Sequence, residues 1–378
     1  MSKVIVGMSG GVDSAVAAYL LKEAGYEVIG IMLRTWSSEQ DPFYSKEDGF
    51  FVEQNKCCEI DDARAAAYKL GIEFYPINCV REFETNVIAP FVRTYTEGCT
   101  PNPCVECNRY VKFEKLLYMA DVLKADYIAT GHYAKKIELP NGRYTVKMSD
   151  ARQKDQTYML YKLSQEQIKR VLFPLGEYDK DSVRLIAKEA GLPVAEKKDS
   201  QEICFIPDDD YSGYIKRYID SYPQTSLEED HSGFNKIAEE GDFVDSKGNT
   251  LGKHRGIIHY TVGQRKGLGL SMGHPVYVTG INADKNQVIV GDEDELFSSE
   301  ITVKDYNFLS LPDLEEGESV RGRVKIRYHH GGEYALIERK DKGILRIIFD
   351  KPVKAATPGQ SAVFYDENNC IIGGGIIG

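Results

Sequence analysis

Apolar and polar positions change rhythm part-way along the chain, and the change divides it. Over roughly the first 200 residues, short apolar runs alternate with stretches of helical spacing. Val4 to Met8 reads as a buried strand, and Ser14 to Ala24 as a helix closed by Gly25. Glu27 to Leu33 predicts a second strand, Asp61 to Leu70 an alanine-rich helix stopped by Gly71, and Ile72 to Asn78 a third strand. A helix is expected from Arg81 to Tyr95, kinked at Pro90, and a strand from Asp126 to Thr130 closed by Gly131. Strand–helix alternation of this kind predicts a parallel sheet wrapped by helices. The polar loop from Thr35 to Lys56 has the length of a functional lid or a disordered segment.

Beyond Pro207 the helical spacing fades. Acidic clusters appear (Glu228, Glu229, Asp230; Glu239, Glu240, Asp242), and glycine-punctuated β-branched runs follow at Ser319–Tyr328, Glu333–Arg339 and Gly343–Phe349. Their spacing predicts a small barrel or sandwich. The expected organisation is an α/β domain over 1–208, a linking domain over 209–294 and a C-terminal β-barrel over 295–378.

Composition narrows the class. The 378 residues are 42% apolar and 28% charged, an ordinary globular balance. Lys and Arg total 47 against 58 Asp and Glu, a net charge of −11. That excludes a polybasic, non-specific nucleic-acid binder, but not an acidic protein with one basic face. The opening MSKVIVGMSGG lacks an apolar segment behind a basic start, and no apolar run is long enough to span a membrane. The expectation is a soluble cytoplasmic protein whose 8 cysteines are reduced thiols, reactive thiols or metal ligands.

The sharpest chemical signal is Gly7-Met8-Ser9-Gly10-Gly11-Val12-Asp13-Ser14, between the first strand and the first helix. Glycines let the backbone turn tightly, and N–H groups at the helix start can cradle phosphate oxygens. The spacing and lysine of a Walker loop are missing. The SGGxDS pattern resembles instead the PP-loop of ATP pyrophosphatases, which transfer AMP to an oxygen. A second signal is Thr100-Pro101-Asn102-Pro103-Cys104-Val105-Glu106-Cys107-Asn108, followed by Lys112-Phe113. Two prolines stiffen a loop expected to present its cysteines ahead of a helix starting near Arg109, where a thiol pKa would be lowered. A third is Cys204, in the polar stretch Lys197-Lys198-Asp199-Ser200-Gln201-Glu202 ahead of Ile203-Cys204-Phe205-Ile206, where two lysines favour thiolate. A lone cysteine is more often packing. Paired with an AMP-transferring loop, distant cysteines suggest sulfur transfer.

With Ala129-Thr130-Gly131-His132-Tyr133, Lys154-Asp155-Gln156, Gly263-Gln264-Arg265-Lys266-Gly267-Leu268-Gly269 and Thr357-Pro358-Gly359-Gln360-Ser361, the chain resembles the bacterial tRNA-specific 2-thiouridylases (the MnmA family) over almost its whole length. The resemblance implies an α/β PP-loop catalytic domain of the adenine nucleotide alpha hydrolase type. It also implies ATP-dependent thiolation of the wobble uridine of tRNAs accepting Lys, Glu and Gln. On this resemblance Gly7 to Ser14, Leu33 and Gly131 hold ATP, and Asp13 orients Mg²⁺. Cys204 carries a persulfide delivered by a relay protein. Cys107 attacks that persulfide to release sulfide, or resolves it as a disulfide. Asn102, Pro103 and Cys104 face the target base, and His132, Lys154, Asp155, Gln156, Arg327, Tyr328 and Gln360 lie along the tRNA. A monomer is expected.

One departure is Cys104, where many members carry Asp, which weakens any carboxylate acid/base role there. Cys104, Cys107 and Cys204 could together hold an iron–sulfur cluster with an open iron, or Cys104 could be a small packed residue. Zinc would need a fourth ligand. Cys57 and Cys58 are expected in buried or capping roles, Cys79 and Cys370 in packing, and Trp36 as a hydrophobic anchor or a stacking platform.

Charge is unevenly spread. Between Arg321 and Lys354 stand ten Lys/Arg against four acids (Glu333, Glu338, Asp341, Asp350), a local +6. Arg321, Arg323, Lys325 and Arg327 alternate and should line one strand face at phosphate reach. Lys253, Arg255, Arg265 and Lys266 form a second basic cluster. A solvated strand face explains either cluster alone; two of them favour tRNA, whose target base would be flipped into a pocket. Another adenylating PP-loop ligase would explain the glycine loop but not the cysteines or the basic stripe. An RNA-binding protein using nucleotide as a structural ligand would leave Cys204 without a role.

Overall fold

A computed structural model describes residues 1–35, 56–198, 203–206, 208–221 and 238–378. Trp36, Asp199 to Glu202 and the acidic run at 228–230 lie outside the described residues, as do the side chains of Cys57 and Cys58.

The first strand, β1 (Lys3–Gly7), has Val4, Ile5 and Val6 fully buried, the continuous apolar run of a strand covered on both faces. It pairs in parallel with β2 (Glu27–Arg34) and β4 (Tyr127–Ala129); β3 (Glu73–Asn78) extends the first side and β7 (Val171–Leu172) the second. The order is β3-β2-β1-β4-β7, so the connections reverse direction between β1 and β4. Parallel sheets bind ligands beyond the carboxyl ends of their strands at such a point. Helices α1 (Val12–Glu23) and α2 (Lys56–Leu70) pack on the sheet through Ala15, Ala17, Ala18, Ala63, Ala66 and Ala67, whose small side chains allow close approach.

The helix expected at 81–95 is α3 (Val80–Phe83), a π-helical turn Glu84–Ile88 and α4 (Ala89–Thr96). The wider turn comes directly ahead of Pro90, whose missing N–H breaks the ladder. The cysteine helix departs from expectation. It begins at Pro103, not near Arg109, because a proline is well suited to a first helical position. It runs as α5 (Pro103–Glu106), a π-helical turn Cys107–Lys112 and α6 (Phe113–Val122). A hairpin of β5 (Ala134–Glu138) and β6 (Tyr144–Met148) follows, then α7 (Gln165–Arg170), α8 (Lys180–Glu189) and α9 (Tyr211–Ser221).

The second unit is a sheet of β8 (Gly241–Val244), β9 (Thr250–His254), β10 (Tyr277–Asn282) and β11 (Gln287–Gly291), in the order β10-β11-β8-β9. Phe243, Val278 and Val288 share one buried cluster with Phe83, Phe91 and Phe205 of the first. The third unit is a closed antiparallel barrel of β12 (Phe297–Phe308), β13 (Ser319–Lys325), β14 (Glu333–Asp341), β15 (Ile344–Lys354), β16 (Ser361–Tyr365) and β17 (Ile371–Ile377). Closure leaves no free edge. The barrel reaches into the first unit: Tyr158 donates to the Ser361 carbonyl at 2.7 Å and Thr145 to that of Ile371 at 2.6 Å. Among the described residues no helix is long and apolar enough to cross a membrane.

Candidate active site

Helix α1 starts at the switch point with Gly11 as its N-cap and no side-chain cap, which leaves the first N–H groups free for an anion. Gly10, at φ +74°, brings the loop against α2; a Cβ there would lie 2.4 Å from the Glu59 carbonyl oxygen. Ser14 Oγ donates to the Gly11 carbonyl (3.1 Å) and accepts from the Ser9 N–H (3.1 Å), so both hydroxyls brace the turn. Gly7 pairs with Ile31. Leu33 therefore lies one strand repeat further along, at the same carboxyl edge. Two lysines far off in sequence close on this loop. Lys180, at the start of α8, donates to both Asp13 carboxylate oxygens (2.8 and 3.0 Å), and Tyr133 Oη donates to one of them (2.8 Å). Lys197 Nζ reaches the Gly10 carbonyl (3.1 Å) and Asp62 (2.7 Å). Lys197, expected to act on Cys204, is thus engaged with the nucleotide loop. No local pattern marks Lys180.

The thiols are arranged differently from the sequence expectation. Cys104 lies in the first turn of its helix and Cys107 opens the π-helical turn. Burial pushes the Cys107 thiol up to about 12, outweighing the pull of the Lys112 ammonium. Cys104 is touched by solvent yet closely surrounded by protein, and its thiol is raised for the same reason. The expected lowering is reversed because desolvation penalises the thiolate more than one cation and a short helix favour it. Cys204 is exposed, while its neighbour Phe205 is buried against Phe83 (5.6 Å between centroids), Phe91 (5.3 Å) and Tyr214 (5.3 Å). Phe205 and Cys107 belong to one apolar cluster, so this aromatic anchor holds the Cys204 segment beside the cysteine helix. Lys112 lies within electrostatic reach of all three thiols. Burial would lower its pKa, but Cys107, Cys104 and Cys204 together hold it above the lysine value. Among the described residues no three His, Cys, Asp or Glu side chains lie in metal-ligating geometry. The three thiols therefore do not fit a cluster in this arrangement. Cys79 and Cys370 are buried, as expected of packing residues.

A dipeptide joins the two halves. Gly131 lies so close to the loop that a Cβ would sit 2.8 Å from the Asp13 carbonyl carbon and the Ser14 nitrogen. The next ring, His132, stacks on Phe113 (5.8 Å, 28°) and shares a 2.8 Å hydrogen bond with Thr130 Oγ1. Burial, with Lys112 nearby, holds its pKa down at about 3, so it is neutral at physiological pH. Asn108, 1% exposed, donates to the Met159 carbonyl (3.0 Å), and its buried Oδ1, an acceptor next to Cys107 in the chain, has no partner among the described residues.

Comparison with known proteins follows the same division. A model described as a tRNA methyl transferase HUP domain matches residues 2–208. A tRNA methyl transferase PRC-barrel domain matches 235–292, and an aminomethyltransferase beta-barrel domain 298–377. A tRNA-specific 2-thiouridylase MnmA of Lachnoclostridium phytofermentans is 47% identical over 380 residues, covering 100% of this chain and 99% of the relative. That of Acetivibrio thermocellus is 49% identical over 379 residues, with 99% of each covered. The chain belongs to the tRNA-specific 2-thiouridylase family. The domain models carry a methyl transferase description, but the relatives that match end to end are thiouridylases.

The basic stripe and the positions expected from resemblance along the tRNA fall into two groups. Arg321, Arg323, Lys325 and Arg327 alternate with buried Gly322, Val324 and Ile326, so the basic stripe forms. Arg321 is paired with Asp350 (2.6 Å), Arg323 with Asn369 (2.7 Å), and Arg327 donates to the Lys354 carbonyl (3.1 Å). Tyr328 reaches from the barrel to the Asp155 carbonyl (2.9 Å), and burial raises its phenol pKa. In the second group Asp155 is buried, accepting from Ser149 N–H (3.2 Å) and Thr157 Oγ1 (2.6 Å). Gln156 accepts from the Tyr133 N–H (3.1 Å), and Gln360 donates to the Thr100 carbonyl (3.1 Å). All three make hydrogen bonds within the protein, Asp155 buried and Gln156 and Gln360 half-buried. Asn102 Nδ2 lies 3.4 Å from the Met159 sulfur, Pro103 is buried, and Lys154 ends a short 3₁₀ turn.

Proposed function

We propose that this protein thiolates carbon 2 of the wobble uridine of tRNA in two stages at one site. The observation that supports the reading is the Gly131–His132 step: Gly131 lies against Asp13 and Ser14 of the nucleotide loop, and His132 stacks on Phe113 of the helix that follows the cysteines. Uracil is a weak electrophile, so activation comes first. The base oxygen attacks the α-phosphorus of ATP, pyrophosphate leaves, and an adenylated base forms. Free N–H groups at the start of α1 receive the phosphates, and Lys180 and Lys197 supply the cations that a Walker lysine supplies elsewhere. Asp13 has the chemistry to hold the Mg²⁺ that accompanies ATP, which would neutralise the leaving pyrophosphate; Lys180 would then be released toward the phosphates.

Sulfur follows. Cys204 is exposed and can accept a persulfide from a relay protein; Cys107 is buried and protonated. The terminal sulfur of the Cys204 persulfide attacks carbon 2 and AMP departs with the oxygen. Cys107 then attacks the Cys204 sulfur, its proton passing to the departing thiouridine anion as the S–S bond breaks, which leaves neutral thiouridine and a Cys107–Cys204 disulfide. In this reading residues 1–208 carry the chemistry, 209–294 brace the cysteine helix, and 295–378 present the basic stripe to the tRNA. The test is thiouridine formation from unmodified tRNA, Mg-ATP and a persulfide donor, with absorption of the anaerobic protein recorded beside it. Thiouridine from colourless protein supports the reading. Activity confined to brown protein would move the sulfur onto a cluster of Cys104, Cys107 and Cys204, and ATP consumption without thiouridine would overturn the assignment.

A further inference from the structure

The helix that carries Cys104 and Cys107 is gripped by the barrel through one buried cation. Lys162, whose side chain is 2% exposed, places Nζ 2.6 Å from Glu106 Oε1 and 2.6 Å from Asp305 Oδ2. Glu106 stands directly before Cys107, and Asp305 belongs to the barrel strand β12. Asp305 has φ +46°, a left-handed backbone, at the irregularity where the β12–β17 pairing shifts register between Lys304 and Asn307. That strained bulge aims its carboxylate out of the barrel, at Lys162 and at Arg109 Nη1 (3.6 Å). Beside the bridge lies a cavity of about 300 Å³ lined by Arg109, Lys162, Gln167, Asp305 and Asn307, so ion pairs rather than packing hold this side of the helix.

The chain makes a second grip one turn earlier. Thr100 N–H donates to the Pro358 carbonyl (2.8 Å), and a Cβ on Gly359 would lie 2.9 Å from the Thr100 nitrogen. The barrel thus fixes the lead-in to the helix and the residue before Cys107. Of the three groups only the Lys162 ammonium is buried, so removing either carboxylate leaves a buried cation short of a partner, and the bridge resists displacement toward one side or the other.

We propose that Lys162 is a positioning residue for sulfur transfer: bridging Glu106 and the strained Asp305, it lets the barrel set where the Cys107 thiol sits. The inference rests on the thiolation reading for its activity arm but not for its structural arm. Full-length protein carrying Lys162→Met or Asp305→Asn is treated with iodoacetamide, and alkylation of Cys107 is measured against Cys370, buried in the β16–β17 hairpin against Lys147 of β6. Both variants should raise the Cys107:Cys370 ratio about tenfold as the helix loosens locally, and lower kcat for thiolation by a similar factor with the KM for tRNA within about twofold. An unchanged ratio in folded variants overturns the proposal, and so does a parallel rise at both cysteines, which marks general loosening. So does a raised KM with kcat intact. Asp305→Asn tolerates the left-handed backbone and its site is half-exposed, so it decides the matter if Lys162→Met does not fold. If the wild type makes no thiouridine the activity reading fails, while the alkylation ratio still tests the bridge.

Discussion

Single residues set the chemistry through burial. Cys107 is held as a neutral thiol because its surroundings penalise the thiolate more than Lys112 favours it. The folded protein therefore keeps a proton that an unfolded thiol, titrating near 9, gives up. Between that value and about 12 the folded state binds more protons, so the stabilising contribution of this site is complete below 9 and is lost as pH rises through that window. In the free protein, Cys107 alkylation should keep climbing from about pH 8 to about pH 11 without levelling off near 9. A plateau near 9, read by mass spectrometry of the Cys107 peptide, would contradict the geometry. His132, held neutral, contributes no charge beside Phe113 across the same range.

Elements decide which residues meet. Phe205 shows this best, since it ties the Cys204 segment to α3, α4 and α9. Phe205→Ala should cost about 3–5 kcal/mol in denaturant unfolding. It should also abolish sulfur transfer while tRNA-dependent pyrophosphate release persists. Loss of both activities in the folded variant would show that Phe205 does more than anchor Cys204. The β1, β2 and β4 strands were legible in the sequence because strands buried on both faces must be apolar throughout. The glycine loop was legible because its backbone has to pass against Glu59 where a side chain cannot. The start of the cysteine helix was misplaced, since Pro103 serves equally well in a stiff loop and as a first helical residue. Lys180 and Lys197 were not legible as loop partners. Their contacts with Asp13 and Gly10 span 167 and 187 residues, and nothing local requires them. Asp155 and Gln360, expected from resemblance along the tRNA, also make hydrogen bonds within the protein, which only packing reveals.

At the scale of the whole molecule, a chain of net charge −11 has to hold a polyanion. In the proposed function the stripe from Arg321 to Arg327 answers that need locally, on the barrel that meets the cysteine helix. Several of its charges are paired with Asp350 and Asn369 or lie near Asp155, so phosphate must compete for them. Arg327→Ala and Arg321→Ala should each weaken tRNA binding uniformly across sequences and reduce the slope of log affinity against log salt by about one. An unchanged slope would place the tRNA on another face. The central claim is that one site activates the base and then delivers sulfur to it. The direct measurement is pyrophosphate release and thiouridine formation side by side, with tRNA, Mg-ATP and a persulfide donor, in wild type and Cys204→Ala. The two-stage account predicts that the variant releases pyrophosphate in a tRNA-dependent manner and forms no thiouridine. Thiouridine from the variant, or pyrophosphate release indifferent to tRNA, would contradict it.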